Sequence, residues 1–420
     1  MNLNSAVIRI DGERLARELD ELGKISAEPF PVVTRVVYSE ADLRAREFVK
    51  ALCAEAGLAV REDAVGNTFA RWKGTDPMLA PVGTGSHIDA IPNAGRFDGT
   101  VGVLGGLEAI RALQRAGVRP TRSIELLIFT SEEPTRFGIG CFGSRLLAGA
   151  LGEEAGTELR DDRDENLDEI RVRAGFTGDL ASVRLPQGYY SAFVELHIEQ
   201  GPILEQKQLE IGIVTAIAAP ATLHLEIEGE GGHAGAVLMA RRRDAFLAAA
   251  EIALAVEAAA MATGEPDTVG TTGICDLFPR AVNSIPSRAH MEIDIRDIDG
   301  PRRDSVLRWV LEAAAEVTSR RDLSLQSRVL NADPPALCDP AIVAVLQKAC
   351  EAHGIAHEPM ISRAYHDSLF VSLVAPTAMI FIPCRNGVSH RPDEYSSPEA
   401  IARGTLILAE ALRTLAAQPG

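Results

Sequence analysis

The chain has 420 residues, 46% of them hydrophobic, and a formal net charge of -17 from 59 acidic and 42 basic residues. This length suffices for two domains with an ordinary apolar core. The acidic balance, spread without blocks of like charge, argues against nucleic acid or an anionic membrane as a partner. Residues 1–10 lack a basic stretch followed by an apolar run, and no segment reaches about 20 apolar residues, so we expect a cytoplasmic protein.

Alternating helical and extended patterns fill most of the first 150 residues. The periodicity predicts helices at 12–22, 41–58 and 101–116 and strands at 80–85 and 123–130. This alternation is the signature of an α/β domain. Residues 151–185 are rich in charge and most simply form a solvated helical excursion.

A different pattern begins after residue 205. It predicts strands at 214–228 and 290–297 and helices at 242–261 and 303–320, which together form a βαββ-like unit with its own sheet. The first pattern then returns, with helices at 340–353 and 398–416 and a strand at 377–383. We therefore predict an α/β domain built from residues 1–212 and 330–420, interrupted by an inserted α+β domain at 213–329.

Four short apolar runs that are typical of buried strands end directly in His, Asp or Glu. They are VGTGSHID (82–89), ELLIFTSEE (125–133), AFVELHIEQ (192–200) and MIFIPCRNGVSH (379–390). A single histidine after a strand is more often a hydrogen-bonded core residue, and paired glutamates more often belong to a solvated loop. In open α/β sheets, however, ligands bind beyond the carboxyl ends of the strands, so four such ends together predict one cleft.

A further carboxylate lies between the first two of these segments. Asp98 is followed by a glycine and a helical pattern, and it stands 11 residues after His87. A carboxylate in this place could bridge two metal ions. Asp89, two residues past His87, could accept the other ring N–H of that histidine and fix its tautomer.

Several of these motifs resemble those of a known family of two-metal amidases. The motifs are GSHIDAIPNAGRFDG, SEEPTRFGIGCFGSR, ELHIEQG, GGHAGA and NGVSHRPDEYSSPE. The family includes N-carbamoyl-L-amino-acid hydrolases, allantoate amidohydrolases and ureidoglycolate amidohydrolases, and it is distantly related to aminoacylases and zinc carboxypeptidases. The resemblance covers nearly the whole chain. It implies a metallo-aminopeptidase-like α/β catalytic domain, an inserted lid and dimerisation domain, and a homodimer.

The resemblance also implies a set of metal ligands. One ion would bind His87 and His197, the other Glu133 and His390, and Asp98 would bridge both. Manganese is favoured, although zinc, cobalt or nickel would suit the same mixture of ligands. Glu132 would stay unligated and act as the general base, because a free carboxylate beside two cations can take a proton from water.

The inserted domain would supply further parts of the site. The resemblance implies that His233 reaches the oxyanion of the tetrahedral intermediate across the dimer, and that Asn283 and Arg296 hold the substrate carboxylate. An arginine suits this task because its guanidinium binds a carboxylate at two points and stays charged. Gln200 would contact the ureido group. His366 and Asp367 are expected to form a supporting pair.

Two segments depart from the commonest family pattern. His-Ala-Gly-Ala-Val-Leu-Met (233–239) lacks two hydroxyls found in many members, and SRAYHDS (362–368) has Tyr365 where carbamoyl amino acid hydrolases usually have glycine. Because histidine at 197 favours the carbamoyl-cleaving branch and Tyr365 resembles the ureidoglycolate branch, we expect hydrolysis of a small ureido acid, with ureidoglycolate favoured and ammonia and carbon dioxide released.

Other interpretations remain open at this point. The substrate could be a carbamoyl amino acid or allantoate, and Tyr365 could simply pack beneath the carboxy-terminal strand. An aminoacylase or metallopeptidase would use the same metals with a larger acyl pocket. A non-catalytic binding protein on this fold would be expected to lack a ligand or Glu132, and neither is missing from the sequence.

Overall fold

The computed structural model describes residues 7–418, so the pattern interpreted at residues 1–10 lies mostly outside the described part. The chain divides into two units. The first comprises Met1–Thr215, Cys338–Ser362 and His366–Gly420, and the second comprises Ala216–Leu337 with Arg363–Tyr365. The roles of lid and dimerisation domain that we assigned to the inserted segment stay predictions.

The strands, in chain order, are β1 (Val33–Arg35), β2 (Ala59–Glu62), β3 (Thr68–Trp72), β4 (Val82–His87), β5 (Ala90–Ala94), β6 (Ile124–Phe129), β7 (Ala192–Ile198), β8 (Ile211–Ile217), β9 (Ala219–Glu228), β10 (Gly232–His233), β11 (Val269–Phe278), β12 (Ser284–Ile285), β13 (Arg288–Asp297), β14 (Ser324–Ala332), β15 (Ala336–Leu337), β16 (His357–Ser362) and β17 (Thr377–Ile382). The α-helices are α1 (Gly12–Lys24), α2 (Glu40–Glu55), α3 (Thr100–Arg115), α4 (Phe142–Ala148), α5 (Ala155–Glu158), α6 (Leu167–Arg173), α7 (Ile203–Lys207), α8 (Ala245–Ala262), α9 (Gly300–Arg320), α10 (Pro340–His353), α11 (Asp367–Val371) and α12 (Pro398–Ala416). Short 3₁₀ turns occur at Leu180–Val183, Met239–Arg241 and Arg385–Gly387.

The first unit is built on a twisted sheet whose central strands are parallel. Its spatial order runs β8, β17, β7, β4, β6, β3, β2, with β16 paired to β8. β17, β7, β4 and β6 run parallel, whereas β8, β3 and β2 are antiparallel to their neighbours. Parallel strands end at the same edge of a sheet. The α/β fold predicted from the sequence therefore brings the His, Asp and Glu residues at the ends of these four strands to one edge.

Helix α3 packs directly on β4 and β7 and against α12. Its glycines permit this close approach, since a Cβ at Gly102 would lie 2.4 Å from the Leu196 carbonyl oxygen. The helix is buried along most of its length, with apolar residues such as Val103 and Leu107 in the core. It therefore fixes the loop that precedes it, which carries Asp98.

The second unit contains a four-stranded antiparallel sheet in the order β11, β13, β9, β14. Alternate residues of β9 and β13, among them Leu223 and Met291, join residues of α8 and α9 in one apolar core. Most of the intervening residues of these strands are only partly buried. This period-2 alternation is typical of a sheet covered by helices on one face. A short ladder formed by β10 and β12 belongs to the same unit.

Among residues 7–418, α8 alone is long and apolar enough to cross a membrane by length and composition. One side of this helix, including Ile252 and Val256, is buried in the core beneath the sheet. Leu254 and Met261 on it are exposed. A helix packed on a sheet in this way is a core helix of a globular unit, and its composition alone does not indicate a membrane span.

Most predicted elements agree with the structure, and α10 and α12 match the predicted bounds. The prediction that residues 151–185 form a solvated segment was wrong, because Leu167, Ile170 and Phe176 are buried in the apolar core of the first unit. The sequence analysis also missed β14, an exposed edge strand with little apolar alternation.

Candidate metal centre

The side chains singled out at the four strand ends converge in the first unit. β4 ends at His87, and His197 is the penultimate residue of β7. Glu133 follows β6 after a short turn, and His390 follows β17 by a longer loop. Ligand-bearing atoms of these residues and of Asp98 form two groups, each with its atoms within 4.8 Å of one another.

The carboxylate of Asp98 belongs to both groups. Its Oδ1 lies 3.6 Å from His87 Nε2 and 3.1 Å from His197 Nε2. Its Oδ2 lies 3.2 Å from His390 Nε2, which is in turn 3.4 Å from Glu133 Oε1. One oxygen thus faces each pair of ligands, an arrangement that suits a carboxylate bridging two cations.

Two of the imidazoles are oriented for metal binding by their outer nitrogens. Nδ1 of His87 lies 3.0 Å from the Asp89 carbonyl oxygen, and Nδ1 of His197 lies 2.9 Å from the Ile198 carbonyl oxygen. When Nδ1 carries the proton, Nε2 presents a lone pair to the centre. Nε2 of His87 is buried and has no hydrogen-bond partner among the described residues. This orphaned acceptor fits a metal ion.

Asp89 contributes differently from the sequence prediction. Its backbone carbonyl, not its carboxylate, is the close partner of His87; carboxylate Oδ1 stands 3.6 Å from Nδ1. The carboxylate accepts the backbone N–H groups of Glu132 at 3.2 Å and Glu133 at 3.1 Å. Asp89 therefore positions the turn that carries both glutamates.

The loop around Asp98 depends on close packing that only glycine allows. Gly99 has a φ of 65°, and a Cβ there would lie 2.4 Å from His87 Nε2. Glu394, which the sequence analysis did not single out, accepts the backbone N–H groups of Phe97 at 2.8 Å and Asp98 at 3.1 Å. The signal for Glu394 was its place in the motif NGVSHRPDEYSSPE.

Electrostatic effects at the centre reflect crowded negative charge. Burial raises the pKa of Glu132 well above its usual range, and burial next to Asp98 raises the pKa of Glu133 to about 7. Burial also opposes ionisation of Asp98, but hydrogen bonds from His197 and His390 outweigh it and hold its pKa well below normal. The hydrogen bond to Asp98 raises the pKa of His390 to about 9. Divalent cations would therefore compete with protons here.

Glu132 lies beside the centre but outside both ligand groups. Its Oε2 is 3.8 Å from His87 Nε2, and its Oε1 accepts the thiol of Cys141 at 3.7 Å. Burial, with the charge of Glu132, raises the pKa of the Cys141 thiol well above its usual value, so this cysteine is neutral. A carboxylate held near the ligands without joining them has the geometry expected of a general base.

Gln200 lies at the same centre. Its Nε2 donates to Asp98 Oδ2 at 2.8 Å and to Ser389 Oγ at 3.3 Å. Its Oε1 is buried without a hydrogen-bond partner among the described residues. The amide is therefore anchored through nitrogen, and its oxygen is left to accept an N–H group.

A polar layer that the sequence analysis largely missed supports His197. The ring of His366 lies 4.6 Å from that of His197, and burial holds the pKa of His366 well below its usual value, so the ring is neutral. Glu195 accepts the hydroxyls of Ser86 at 2.7 Å and Ser368 at 2.5 Å. Alternation within β7 gave no signal for Glu195, because both faces of this strand are buried.

His233 and Asn283 lie together in the second unit. His233 is paired with Ser284 in the β10–β12 ladder, and the next residue, Ala234, donates its N–H to the Asn283 carbonyl at 2.9 Å. Nδ1 of His233 accepts the Gly235 N–H at 3.1 Å. The side chain of His233 is exposed, as is that of Asn283.

Arg296 lies far from this ladder. β12 lies beyond the Arg288 end of β13, and the extended chain from Arg288 to Arg296 spans about 27 Å. The guanidinium of Arg296 is held by Asp294 at 2.7 and 3.1 Å and by the Arg363 carbonyl at 2.8 Å. Within one chain the structure does not bring Asn283 and Arg296 together.

Tyr365 belongs to the second unit and contacts the end of β14. Its hydroxyl donates to the Asp333 carboxylate, and the Asn331 amide donates to the same hydroxyl at 3.4 Å. These two hydrogen bonds anchor the phenol on residues 331–333.

Comparison with known proteins gives consistent matches along the chain. Residues 83–414 match the model of Peptidase family M20/M25/M40. A ureidoglycolate hydrolase of Arabidopsis thaliana is 53% identical over 422 residues, covering 99% of this chain and 88% of that protein. An N-carbamoyl-L-amino acid amidohydrolase of Geobacillus stearothermophilus is 39% identical, covering 95% and 97%. The crystal structure of AtUAH in complex with glyoxylate is 52% identical with a TM-score of 0.90, covering 99% and 100%. The chain belongs to peptidase family M20/M25/M40.

Proposed function

We propose that this protein is a two-metal amidohydrolase that cleaves the carbamoyl C–N bond of a small ureido carboxylic acid, ureidoglycolate above others. Ammonia and carbon dioxide would be released. The observation that carries the proposal is the Asp98 carboxylate, whose two oxygens face separate groups of candidate ligands, with Glu132 nearby but in neither group. The similarity to a ureidoglycolate hydrolase supports the choice of substrate. A homodimer in the cytoplasm is part of the same proposal.

His87 and His197 would hold one divalent ion, Glu133 and His390 the other, and Asp98 both. When bound, two such ions supply Lewis-acid polarisation and make a nucleophile available at neutral pH. The chain's own contribution is to fix the ligands through outer contacts, such as those of His87 and His197 with backbone carbonyls. Among manganese, zinc, cobalt and nickel we favour manganese, although this ligand set suits each of them.

Glu132 would accept a proton from the attacking water and deliver it to the leaving nitrogen. Its buried position, 3.8 Å from His87 Nε2, keeps it close to the reacting atoms without coordination. Burial raises the pKa of this carboxyl well above its usual value, and a carboxyl that takes a proton from water can return it to the leaving group. Gln200 would accept an N–H of the ureido group through its unpaired oxygen.

The second unit would bind the other parts of the substrate. Arg296, which Asp294 orients, would bind the substrate carboxylate with N–H groups that its bonds to Asp294 do not use, since a guanidinium has five N–H donors. His233 and Asn283 would act together, since one short ladder carries both. We assign them to the oxyanion side, contributed across the dimer. The prediction that Asn283 and Arg296 together hold the substrate carboxylate stays a prediction, and the two residues would then come from different chains.

An aminoacylase or metallopeptidase activity would use the same centre. The relatives at 53% and 39% identity are named for ureido and carbamoyl substrates, which favours carbamoyl cleavage. A comparison of a ureido acid with an N-acetyl amino acid, on protein reconstituted with metal, separates these activities. No turnover of either would support a binding protein instead.

Replacement of Glu132 by glutamine should leave both metals bound and lower kcat by about 10²–10⁴-fold, because proton transfer is lost while the ligands are untouched. Ammonia release and metal content are measured on the same preparation. Asp98→Ala is the contrasting variant and should lose metal. Near-normal turnover by fully loaded Glu132→Gln protein would show that another group moves the proton.

Mixed dimers should reveal that the active site is shared between chains. His233→Ala and Asn283→Ala should each lower kcat more than they raise KM, since their contacts would strengthen in the transition state. Arg296→Lys should mainly raise KM. Inactive Glu132→Gln chains mixed with either of the first two variants should regain activity in verified heterodimers. Absence of recovery would mean that each chain uses its own residues.

Tyr365 should set the preference for a small hydroxylated substrate. Its proton goes to Asp333, so its oxygen can accept the hydroxyl on the substrate α-carbon, while the ring fills space that a side chain would need. Sites that pair with a hydroxyl reject analogues lacking it by as much as ~10⁴-fold. We expect kcat/KM to be highest for ureidoglycolate, ahead of carbamoylglycine, carbamoyl-leucine and allantoate.

Two variants separate the effect of the Tyr365 hydroxyl from the effect of its ring. Tyr365→Phe keeps the ring and should lose discrimination between ureidoglycolate and carbamoylglycine, whereas Tyr365→Gly should in addition let carbamoyl-leucine react faster. If the unaltered protein prefers carbamoyl-leucine or allantoate, the substrate assignment is wrong and the two-metal chemistry is unaffected.

A further inference from the structure

A second cluster of imidazoles and carboxylates lies in the second unit, on residues that have no assigned role in substrate binding. His224 and Glu226 are on β9, and His290 and Glu292 are on β13. Their neighbours in these strands, such as Leu225 and Met291, point into the apolar core beneath α8 and α9. The four polar side chains therefore share the opposite face of the sheet.

The register of the two strands makes this cluster compact. His290 is directly opposite Glu226, and Glu292 is directly opposite His224. His224 Nε2 lies 3.3 Å from Glu226 Oε1, and His290 Nδ1 lies 2.9 Å from the same oxygen. The imidazole rings meet edge to face with centroids 4.5 Å apart.

These separations are close to those of a tetrahedral metal site. Ligand atoms about 2.0–2.2 Å from zinc at tetrahedral angles lie about 3.3–3.6 Å from each other. The distance of 3.3 Å between His224 Nε2 and Glu226 Oε1 lies within this range. The distance of 2.9 Å between His290 Nδ1 and Glu226 Oε1 would have to increase by only about half an ångström. The ligand atoms of all three residues lie within 4.8 Å of one another.

Glu292 places a carboxylate beside the ring nitrogen of His290 that faces away from Glu226. With Nδ1 of His290 directed at Glu226, its Nε2 lies 3.3 Å from Glu292 Oε1. A metal-bound histidine usually donates its other ring N–H to a carboxylate in this way, which fixes the ring and strengthens the ligand. The cluster thus contains three ligands and one orienting carboxylate.

The surroundings leave access for an ion and for water. All four side chains are partly buried, so they are neither sealed in the core nor fully solvated. Glu226 and His290 also line a cavity of about 440 Å³, together with Asp276, Phe278 and Arg280. Water entering from this cavity could complete a fourth coordination position.

We propose that His224, Glu226 and His290 bind one divalent transition-metal ion, with zinc as the best probe, and that the ion joins β9 to β13. Two imidazoles and a carboxylate suit zinc, copper or nickel more than magnesium or calcium. An ion bound only by the folded sheet stabilises that sheet. This site shares no residue with the centre around Asp98 and does not depend on the proposed hydrolysis.

Zinc bound per chain, measured by elemental analysis after equilibrium dialysis against free zinc, tests the proposal. The unaltered protein should bind one more equivalent than His224→Gln or His290→Gln, whatever the centre around Asp98 takes up. Glu292→Gln keeps all three ligands, so it should retain the site with affinity about 10–100-fold lower. Zinc should also slow amide hydrogen exchange in β9 and β13 of the unaltered protein and not of the two histidine variants.

His353→Gln is the matched control, because His353 pairs with a single carboxylate, Glu410, at 3.1 Å in the first unit. It should bind as much zinc as the unaltered protein. Equal zinc in all variants, or an equal loss in His353→Gln, would overturn the proposal. Circular dichroism identifies any histidine variant that fails to fold; the affinity of Glu292→Gln then decides, and unchanged affinity there would also overturn it.

Discussion

Burying several carboxylates close together costs free energy, because each loses its water and repels the others. Asp98 and Glu133 are buried, and Glu132 is partly buried, at one edge of the central sheet. Imidazoles on either side of Asp98 offset part of the cost by hydrogen bonding. Burial raises the pKa values of both glutamates, and this favours proton uptake, which offsets more of it. Two divalent cations would also offset this cost, and they would supply Lewis-acid catalysis as well. The candidate ligands, the proposed base and Gln200 are therefore all arranged around the carboxylate of Asp98.

The loop that carries Asp98 is held largely through its backbone. Gly99 lets the loop pass against His87, Glu394 binds two successive N–H groups of the loop, and the close packing of α3 on β4 and β7 fixes its far end. Asp89 orders the turn that carries both glutamates in the same manner. Residues that bind no metal thus hold the ligands in place, and outer contacts of this kind commonly govern metal affinity.

The sequence predicted most of the α/β fold, because parallel buried strands leave apolar runs that end in polar residues, and the shared edge of the sheet follows from topology. It also identified the five candidate ligands, which the structure brings together. Other features leave no such pattern. The spacing of Asn283 and Arg296 in the chain does not reveal the length of extended strand between them. Tyr365 contacts Asp333 because Arg363–Tyr365 belong to the second unit, although the segments before and after them in the chain belong to the first. Glu394 binds backbone N–H groups, and such contacts leave no sequence pattern. The many charged residues around Leu167 obscure the pattern of the apolar residues that are buried there.

The central claim is that Asp98 bridges two cations while Glu132 binds neither. Anomalous diffraction from crystals of the manganese-loaded protein tests it directly, since each ion gives its own peak. The account predicts two peaks, one bonded to His87, His197 and Asp98 and the other to Glu133, His390 and Asp98, with the Glu132 carboxylate outside both coordination shells. A single fully occupied peak, or a peak bonded to Glu132, would contradict it.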